Sequence, residues 1–74
     1  MTYIEFHTIY INELKIKPDY IRPGQLLMNL LSEYYYNEYY RITYFDKEYD
    51  CFHIDSKIPD ILEHLKKCWV IWPS

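Results

Sequence analysis

Ten tyrosines in a chain of 74 residues limit what this sequence can fold into, because a domain of this length has too thin a core to bury them all. Six of them lie in one short segment, as Tyr34, Tyr35, Tyr36, Tyr39, Tyr40 and Tyr44. Carboxylates alternate with these tyrosines, and residues 32–50 contain only two bases, Arg41 and Lys47. Tyrosine combines an apolar ring with a polar tip and is enriched where proteins contact partners. The segment therefore indicates a negatively charged binding surface and favours a binding protein over an enzyme.

The length predicts one small domain, residues 1–74. The N-terminus lacks the basic region and small-residue cleavage site of a signal peptide, and the longest apolar run is far short of the ~20 residues of a membrane span. These features predict a soluble protein of the cytoplasm. In that compartment we expect Cys51 and Cys68 to be reduced thiols and not a disulfide.

The two ends of the chain have the composition of β-strands. Residues 2–11 are rich in β-branched and aromatic types without Gly or Pro, which predicts a strand. The residues that would share one face of it are Ile4, Phe6, Thr8 and Tyr10. The tail CWVIWP predicts a short closing strand that ends at Pro73. We expect the two strands to pair, giving a two-stranded sheet that joins the termini.

The middle of the chain predicts helices. Pro23 suits a first helical turn, and a stripe of apolar residues follows it with helical spacing: Leu26, Leu27, Leu30, Leu31 and Tyr34. A helix is therefore expected over 23–36, with Tyr34 in the core. A break or bend is expected at Asn37, followed by a short helix over 38–42, with a strand through the adjacent tyrosines as the alternative. Residues 43–54 have no clean period and are expected to be irregular.

A last amphipathic helix is expected over 56–67, with Asp55 or Ser56 as its N-cap. Its acids lie near the start and its bases, Lys66 and Lys67, near the end, as the helix dipole favours. The resulting fold class is a small α+β domain with the order strand, helix, short helix, helix, strand.

The sequence gives little support for catalysis or a cofactor. Two cysteines and two histidines could form a Cys2His2 zinc site from Cys51, His53, His64 and Cys68, since H-x3-C matches ligand spacing on a helix. The usual C-x2–4-C knuckle is missing, so we interpret the spacing as coincidence and expect no metal or other cofactor. A chain with one glycine also lacks a loop suited to an oxyanion hole or a phosphate cradle. We expect no enzymatic activity.

Net charge argues against direct nucleic-acid binding. Eleven acids against eight bases give a formal charge of −3, and the bases are scattered along the chain. Proteins that neutralise phosphates carry a basic patch or stripe, which this sequence lacks. Stacking of single-stranded bases on the tyrosines stays as an alternative, although such platforms normally lie in positive grooves.

The chain resembles two groups of proteins. The first resemblance is to a pattern in small bacterial and phage proteins that carries no established chemistry. The matching residues are Arg22, Gly24, Gln25, Leu27, Asn29 and Leu31, then Asp50, Phe52, Asp55, Ile58, Leu62 and Trp69. By its length and its tyrosine-rich middle, the whole chain also resembles the small growth-inhibitory proteins of staphylococcal phages that target the host replication sliding clamp. The second resemblance implies a host-takeover protein in the host cytoplasm that occupies the DNA channel of the clamp and blocks DNA loading.

The expected partner is therefore the sliding clamp, the beta subunit of bacterial DNA polymerase III, whose DNA channel is lined by Lys and Arg side chains. The expected partner-binding residues are Glu33, Tyr35, Tyr36, Glu38, Tyr39, Tyr40, Asp46, Glu48 and Asp50. Two copies per clamp ring, or a homodimer, are plausible because clamps are rings of repeated domains. A homodimeric interaction module without a host partner is an alternative. A further route is a short motif in the clamp's peptide pocket, Gln25-Leu26-Leu27, although the helix prediction assigns both leucines to the core.

Overall fold

The computed structural model describes residues 1–69, and every regular element in that range is helical. The α-helices are α1 (Tyr3–Ile16), α2 (Pro23–Tyr34), α3 (Tyr36–Tyr44) and α4 (Ile58–Cys68). Two 3₁₀ turns, Lys47–Tyr49 and Asp55–Lys57, lie between α3 and α4. The predicted α+β fold with its two-stranded sheet is therefore wrong. Most of the predicted closing strand, residues 70–73, lies outside the described residues, and Cys68 is the last residue of α4.

The predicted strand at residues 2–11 is a helix, and a local signal explains why. The Thr2 hydroxyl accepts a hydrogen bond from the Glu5 N–H at 3.1 Å, and the Glu5 carboxylate accepts one from the Thr2 N–H at 3.2 Å. This reciprocal capping box starts a helix despite the strand-like composition that follows. Phe6 and Tyr10, four residues apart, are both buried, which fits one face of a helix.

The leucine-rich helix was predicted correctly but ends earlier than expected. α2 begins at Pro23, and Leu27, Met28 and Leu31 lie in the centre of the core. The other buried apolar residues of the described chain are Phe6, Tyr10, Leu26, Leu30, Ile42, Cys51, Ile61 and Leu65. The Tyr10 hydroxyl donates a hydrogen bond to the Pro23 carbonyl at 3.0 Å and so joins α1 to the start of α2.

The segment between α3 and α4 packs on the N-terminus of α2. The Asp55 carboxylate accepts a hydrogen bond from the Gly24 N–H at 3.0 Å and so caps α2. The prediction that Asp55 or Ser56 is the N-cap of the last helix is wrong, because Lys57 holds that position. Arg22 donates to the Phe52 carbonyl at 3.0 Å, and the Cys51 thiol lies 3.5 Å from the Gly24 carbonyl oxygen. These contacts join the two halves of the sequence pattern that runs from Arg22 to Trp69.

The last helix begins two residues later than predicted, after the 3₁₀ turn, and ends one residue later. Its buried residues are Ile61 and Leu65, and Lys66 and Lys67 lie in its last turn as predicted. Trp69 follows it and donates a hydrogen bond from its ring N–H to the Met1 carbonyl at 2.9 Å. No helix within residues 1–69 combines the length and the apolar character needed to cross a membrane.

Candidate functional site

The break between α2 and α3 decides which tyrosines face outward. Tyr35 stands between the two helices with φ −146° and ψ 66°, and its ring packs edge-on against Trp69 with centroids 4.7 Å apart. Tyr34, the last residue of α2, is 42% exposed. The prediction that Tyr34 belongs to the core is therefore wrong. Because the chain turns at Tyr35 and not at Asn37, the inward position passes to Tyr35.

Four aromatic side chains form a continuous exposed stripe along α3 and just beyond it. Tyr36, Tyr40, Tyr44 and Phe45, called the aromatic stripe below, are 59%, 46%, 60% and 72% exposed. Ring centroids are 6.4 Å apart for Tyr36 and Tyr40, 4.7 Å for Tyr40 and Tyr44, and 6.2 Å for Tyr40 and Phe45. The spacing i, i+4, i+8 of the three tyrosines places them on one face of the helix. Tyr44 and Phe45 were not predicted as site residues, although that spacing was visible in the sequence.

The other tyrosines predicted to bind a partner are less accessible. Tyr39 is half-buried and packs against the core, with its ring 5.9 Å from that of Tyr36. Tyr35 also packs against the core. The structure therefore brings Tyr36 and Tyr40 together on the surface and leaves Tyr35 and Tyr39 at its edge.

The predicted acidic residues divide in the same way. Glu33 and Glu48 are exposed, while Asp46 and Asp50 are half-buried. The Asp50 carboxylate accepts a hydrogen bond from the Phe52 N–H at 2.9 Å. Glu38 is only 3% exposed, so its side chain is not available to a partner in this fold. Sequence reasoning placed Glu38 outward because it treated every carboxylate of the segment as solvated.

Charge is concentrated in the same part of the chain. Residues 33–50 contain five of the eleven acids and two of the eight bases, so this segment carries a formal charge of −3. The remaining six acids and six bases cancel. The net charge of the whole chain therefore resides in the segment that contains the aromatic stripe.

Glu38 belongs to a small polar cluster between α3 and α4. Its carboxylate lies 2.8 Å from His64 Nε2 and 3.6 Å from the Arg41 guanidinium. The Cys68 thiol lies 3.8 Å from the same nitrogen of His64. Burial is the main cause that raises the pKa of the Cys68 thiol to about 11, and the negative charge of Glu38 is the second. Cys51 and His53, the other members of the zinc site considered from the sequence, are held elsewhere by Gly24 and Arg22.

A shallow pocket lies on another part of the surface. Its volume is about 140 Å³, well below the several hundred Å³ of typical small-molecule sites. Its lining residues are Met28, Tyr39, Thr43, Asp50, Phe52 and His53. It is too small to hold most organic substrates.

The Tyr10 hydroxyl and the Cys51 thiol, both buried in the apolar core, favour their protonated forms. Burial raises the pKa of Tyr10 from 10.0 to about 12, and burial together with the Asp50 charge raises that of Cys51 from 9.0 to about 12. Because the pKa of each group is higher in the folded than in the unfolded chain, its contribution to stability is complete below about pH 9. This contribution is lost as the pH rises toward 12. We expect the urea midpoint to fall steadily above about pH 9. In Cys51→Ser the decline should be shallower, because Cys51 no longer contributes to it, while Cys68 and Tyr10, whose pKa values are raised to about 11 and about 12, still do. A wild-type midpoint unchanged up to pH 11 would contradict the expectation.

Comparison with known proteins identifies no relative: no protein-family model, no curated protein and no solved structure matches this chain.

Proposed function

We propose that this chain is a stoichiometric protein-binding inhibitor whose partner is the bacterial replication sliding clamp, contacted through the aromatic stripe. The observation that carries the proposal is the stripe itself. Four neighbouring aromatic rings, each at least 46% exposed, lie side by side on a chain of 74 residues. Contiguous exposed apolar surface on a small protein marks an interaction site.

The size of the stripe is that of an interface centre. An aromatic side chain buries 150–250 Å² when covered, so four rings exposed to this extent offer roughly 350–600 Å². A standard interface buries about 800 Å² on each partner. The stripe can therefore supply the apolar centre, and the polar rim must come from its neighbours.

The charge of residues 33–50 supports a basic partner. Glu33 and Glu48 are the exposed acids of this segment, Asp46 and Asp50 are half-buried, and Glu38 is withdrawn from the proposed contact set. An acidic rim steers association with a basic surface and disfavours phosphate backbones, which carry the same charge. The resemblance to clamp-targeting phage proteins supports the DNA channel of the clamp, which is lined by Lys and Arg side chains, as the basic surface that this chain contacts. Occupation of the channel would prevent loading onto DNA.

Substitution at the centre of the stripe tests the contact. Tyr40 touches Tyr36, Tyr44 and Phe45, and central aromatic residues of an interface cost about 2 kcal/mol or more when truncated. We expect Tyr40→Ala to weaken binding to purified clamp about 30-fold, as measured by biolayer interferometry. Tyr20, which is 82% exposed and lies between α1 and α2, gives the matched control Tyr20→Ala, for which affinity should not change.

A second pair of variants tests the charge. Glu48→Lys should slow association, and the loss should shrink at high salt, whereas Asp19→Lys, in the turn between α1 and α2, should have a smaller effect. If wild-type protein does not bind the clamp, the partner is wrong. If it binds but Tyr40→Ala and Tyr20→Ala behave alike, the stripe is wrong.

The same preparation separates the alternatives. Retention on single-stranded DNA at low salt would favour a base-stacking role, and a mass that doubles with concentration in ultracentrifugation, without clamp binding, would favour a homodimer. Channel occupation itself predicts that the protein binds free clamp and fails to bind clamp already closed around DNA.

A further inference from the structure

We propose that Glu38, His64 and Cys68 form a Zn²⁺ site that links α3 to α4. One oxygen of Glu38, the Nε2 atom of His64 and the Sγ atom of Cys68 all lie within 4.8 Å of one another. Nothing in the proposed binding surface uses these groups. The inference does not depend on the clamp, because Glu38 is buried and none of the four residues of the aromatic stripe is a proposed ligand.

The distances fit one tetrahedral ion with small adjustments. With Zn–N, Zn–O and Zn–S bonds of ordinary length, neighbouring ligand atoms are roughly 3.3–3.6 Å apart. The Glu38 oxygen lies 2.8 Å and the Cys68 sulfur 3.8 Å from His64 Nε2. The Glu38 oxygen and the Cys68 sulfur lie within 4.8 Å of each other, so side-chain rotations that move the ligand atoms by about 1 Å would bring all three to bonding distance around one centre.

The direction of the contacts distinguishes a metal site from a catalytic triad. In a Cys-His-acid triad the thiol and the carboxylate contact different ring nitrogens of the histidine. Here both converge on Nε2 of His64. A single Nε2 either donates one hydrogen bond or accepts one, so it serves Glu38 or Cys68 but not both. The Cys68 thiol can instead donate to the Leu65 carbonyl at 3.9 Å, a long contact, whereas an ion at the centre of the three atoms would bind all of them directly.

The surroundings favour metal binding. Buried carboxylates are normally paired or coordinate metals. Glu38 is nearly fully buried, and its pairing with the largely exposed Arg41 is long, at 3.6 Å. The ring of Tyr49 stacks on that of His64, with centroids 4.2 Å apart and planes 15° apart, which fixes the orientation of the imidazole. His64 and Cys68 remain half-buried, so solvent can reach the fourth coordination position and an ion can enter.

The chemistry of the donors selects the ion. Thiolate, imidazole and carboxylate together match Zn²⁺ better than Ca²⁺ or Mg²⁺, which prefer oxygen ligands. Binding breaks the S–H bond of Cys68, forms a Zn–S bond and releases the proton to solvent, because the ion's charge overcomes the raised pKa of that thiol. No electrons are transferred.

Titration with Co²⁺ tests the site directly. Co²⁺ replaces zinc in tetrahedral sites, and a thiolate ligand gives a charge-transfer band in the near ultraviolet. We expect one equivalent of Co²⁺ to produce this band at neutral pH, with about one proton released per ion. Zn²⁺ at a hundredfold excess over its dissociation constant should raise the melting temperature by about 10 °C or more, and a chelator should reverse the shift.

Matched variants locate the ligands. Cys68→Ser should abolish the band and Glu38→Gln should weaken Co²⁺ binding tenfold or more, while Cys51→Ser and His53→Gln should keep both band and affinity. Circular dichroism checks that each variant folds, and the wild-type titration decides the matter even if one does not. No band in the wild-type protein, or a band lost in Cys51→Ser and kept in Cys68→Ser, overturns the proposal.

Discussion

Replacing Gly24 with alanine is expected to destabilise the fold by about 3 kcal/mol or more, a large part of the roughly 4–11 kcal/mol available to a domain of this size. A Cβ atom at this position would lie 2.0 Å from the carbonyl oxygen of Cys51 and 2.8 Å from Asp55 Oδ1. Because the nearer atom belongs to the backbone, rotation of a side chain cannot relieve the clash. The segment that packs on α2 would have to move away.

The sign of this effect makes the prediction decisive. Helix propensity alone favours alanine over glycine by about 1 kcal/mol inside a helix, so an unobstructed site would gain stability from the substitution. Only the close approach of Cys51 reverses that sign. Urea unfolding followed by circular dichroism measures the free energy of unfolding, and an unchanged or stabilised Gly24→Ala protein would show that the segment does not contact α2 as described.

Two control variants separate the effect of the clash from the effect of any substitution in α2 and from the effect of losing the Asp55 cap. Asn29→Ala, at an exposed position of the same helix, should change stability by less than about 0.5 kcal/mol. Asp55→Ala removes the carboxylate that accepts the Gly24 N–H and should cost about 1 kcal/mol, the usual value of a lost helix cap. Gly24→Ala should exceed both.

The helices that could be predicted from the sequence are those with a clear apolar period and a recognisable start. α2 combines Pro23 at its first turn with a leucine stripe, and α4 combines buried residues at helical spacing with bases in its last turn. Periodicity fixes such elements because burial of one face and local propensity agree. The short helix Tyr36–Tyr44 has neither a leucine stripe nor a side-chain cap, and the bounds predicted for it, 38–42, were too narrow.

The failures have physical causes that composition does not reveal. In residues 2–11 the spacing of Phe6 and Tyr10 fits a strand face and a helix face equally well, and the capping box formed by Thr2 and Glu5 decides between them. Glu38 was placed outward because its partner His64 lies 26 residues away on another helix. Asp55 was assigned to the helix that follows it, while it caps a helix 31 residues earlier. Contacts over such separations are set by packing and leave no local signal.

The surface prediction depended on one backbone position. Tyr36 and Tyr40 are exposed as expected, whereas Tyr34 and Tyr35 exchange the roles predicted for them. A single non-helical residue between α2 and α3 changes the face that every later side chain presents. The segment was therefore recognisable from composition, but the identity of its exposed rings required the structure.

Phe6→Ala is expected to cost about 3–5 kcal/mol and to leave the domain close to unfolding at 25 °C. The Phe6 side chain is fully buried, and its ring centroid lies 5.0 Å from that of Trp69. Truncation leaves a cavity between α1 and the end of α4, in a core too thin to close over it. Urea unfolding, followed by circular dichroism, measures the loss.

The companion substitution Ile4→Ala makes this a test of the fold at the N-terminus. On a strand, Ile4 and Phe6 point to the same face, so each truncation would remove core contacts and cost 2 kcal/mol or more. On the helix, Ile4 is 75% exposed while Phe6 is buried, so Ile4→Ala should change stability by less than about 0.5 kcal/mol. A large loss for both variants would restore the strand, whereas a large loss for Phe6→Ala alone would establish the helix, because no extended backbone separates residues i and i+2 in this way.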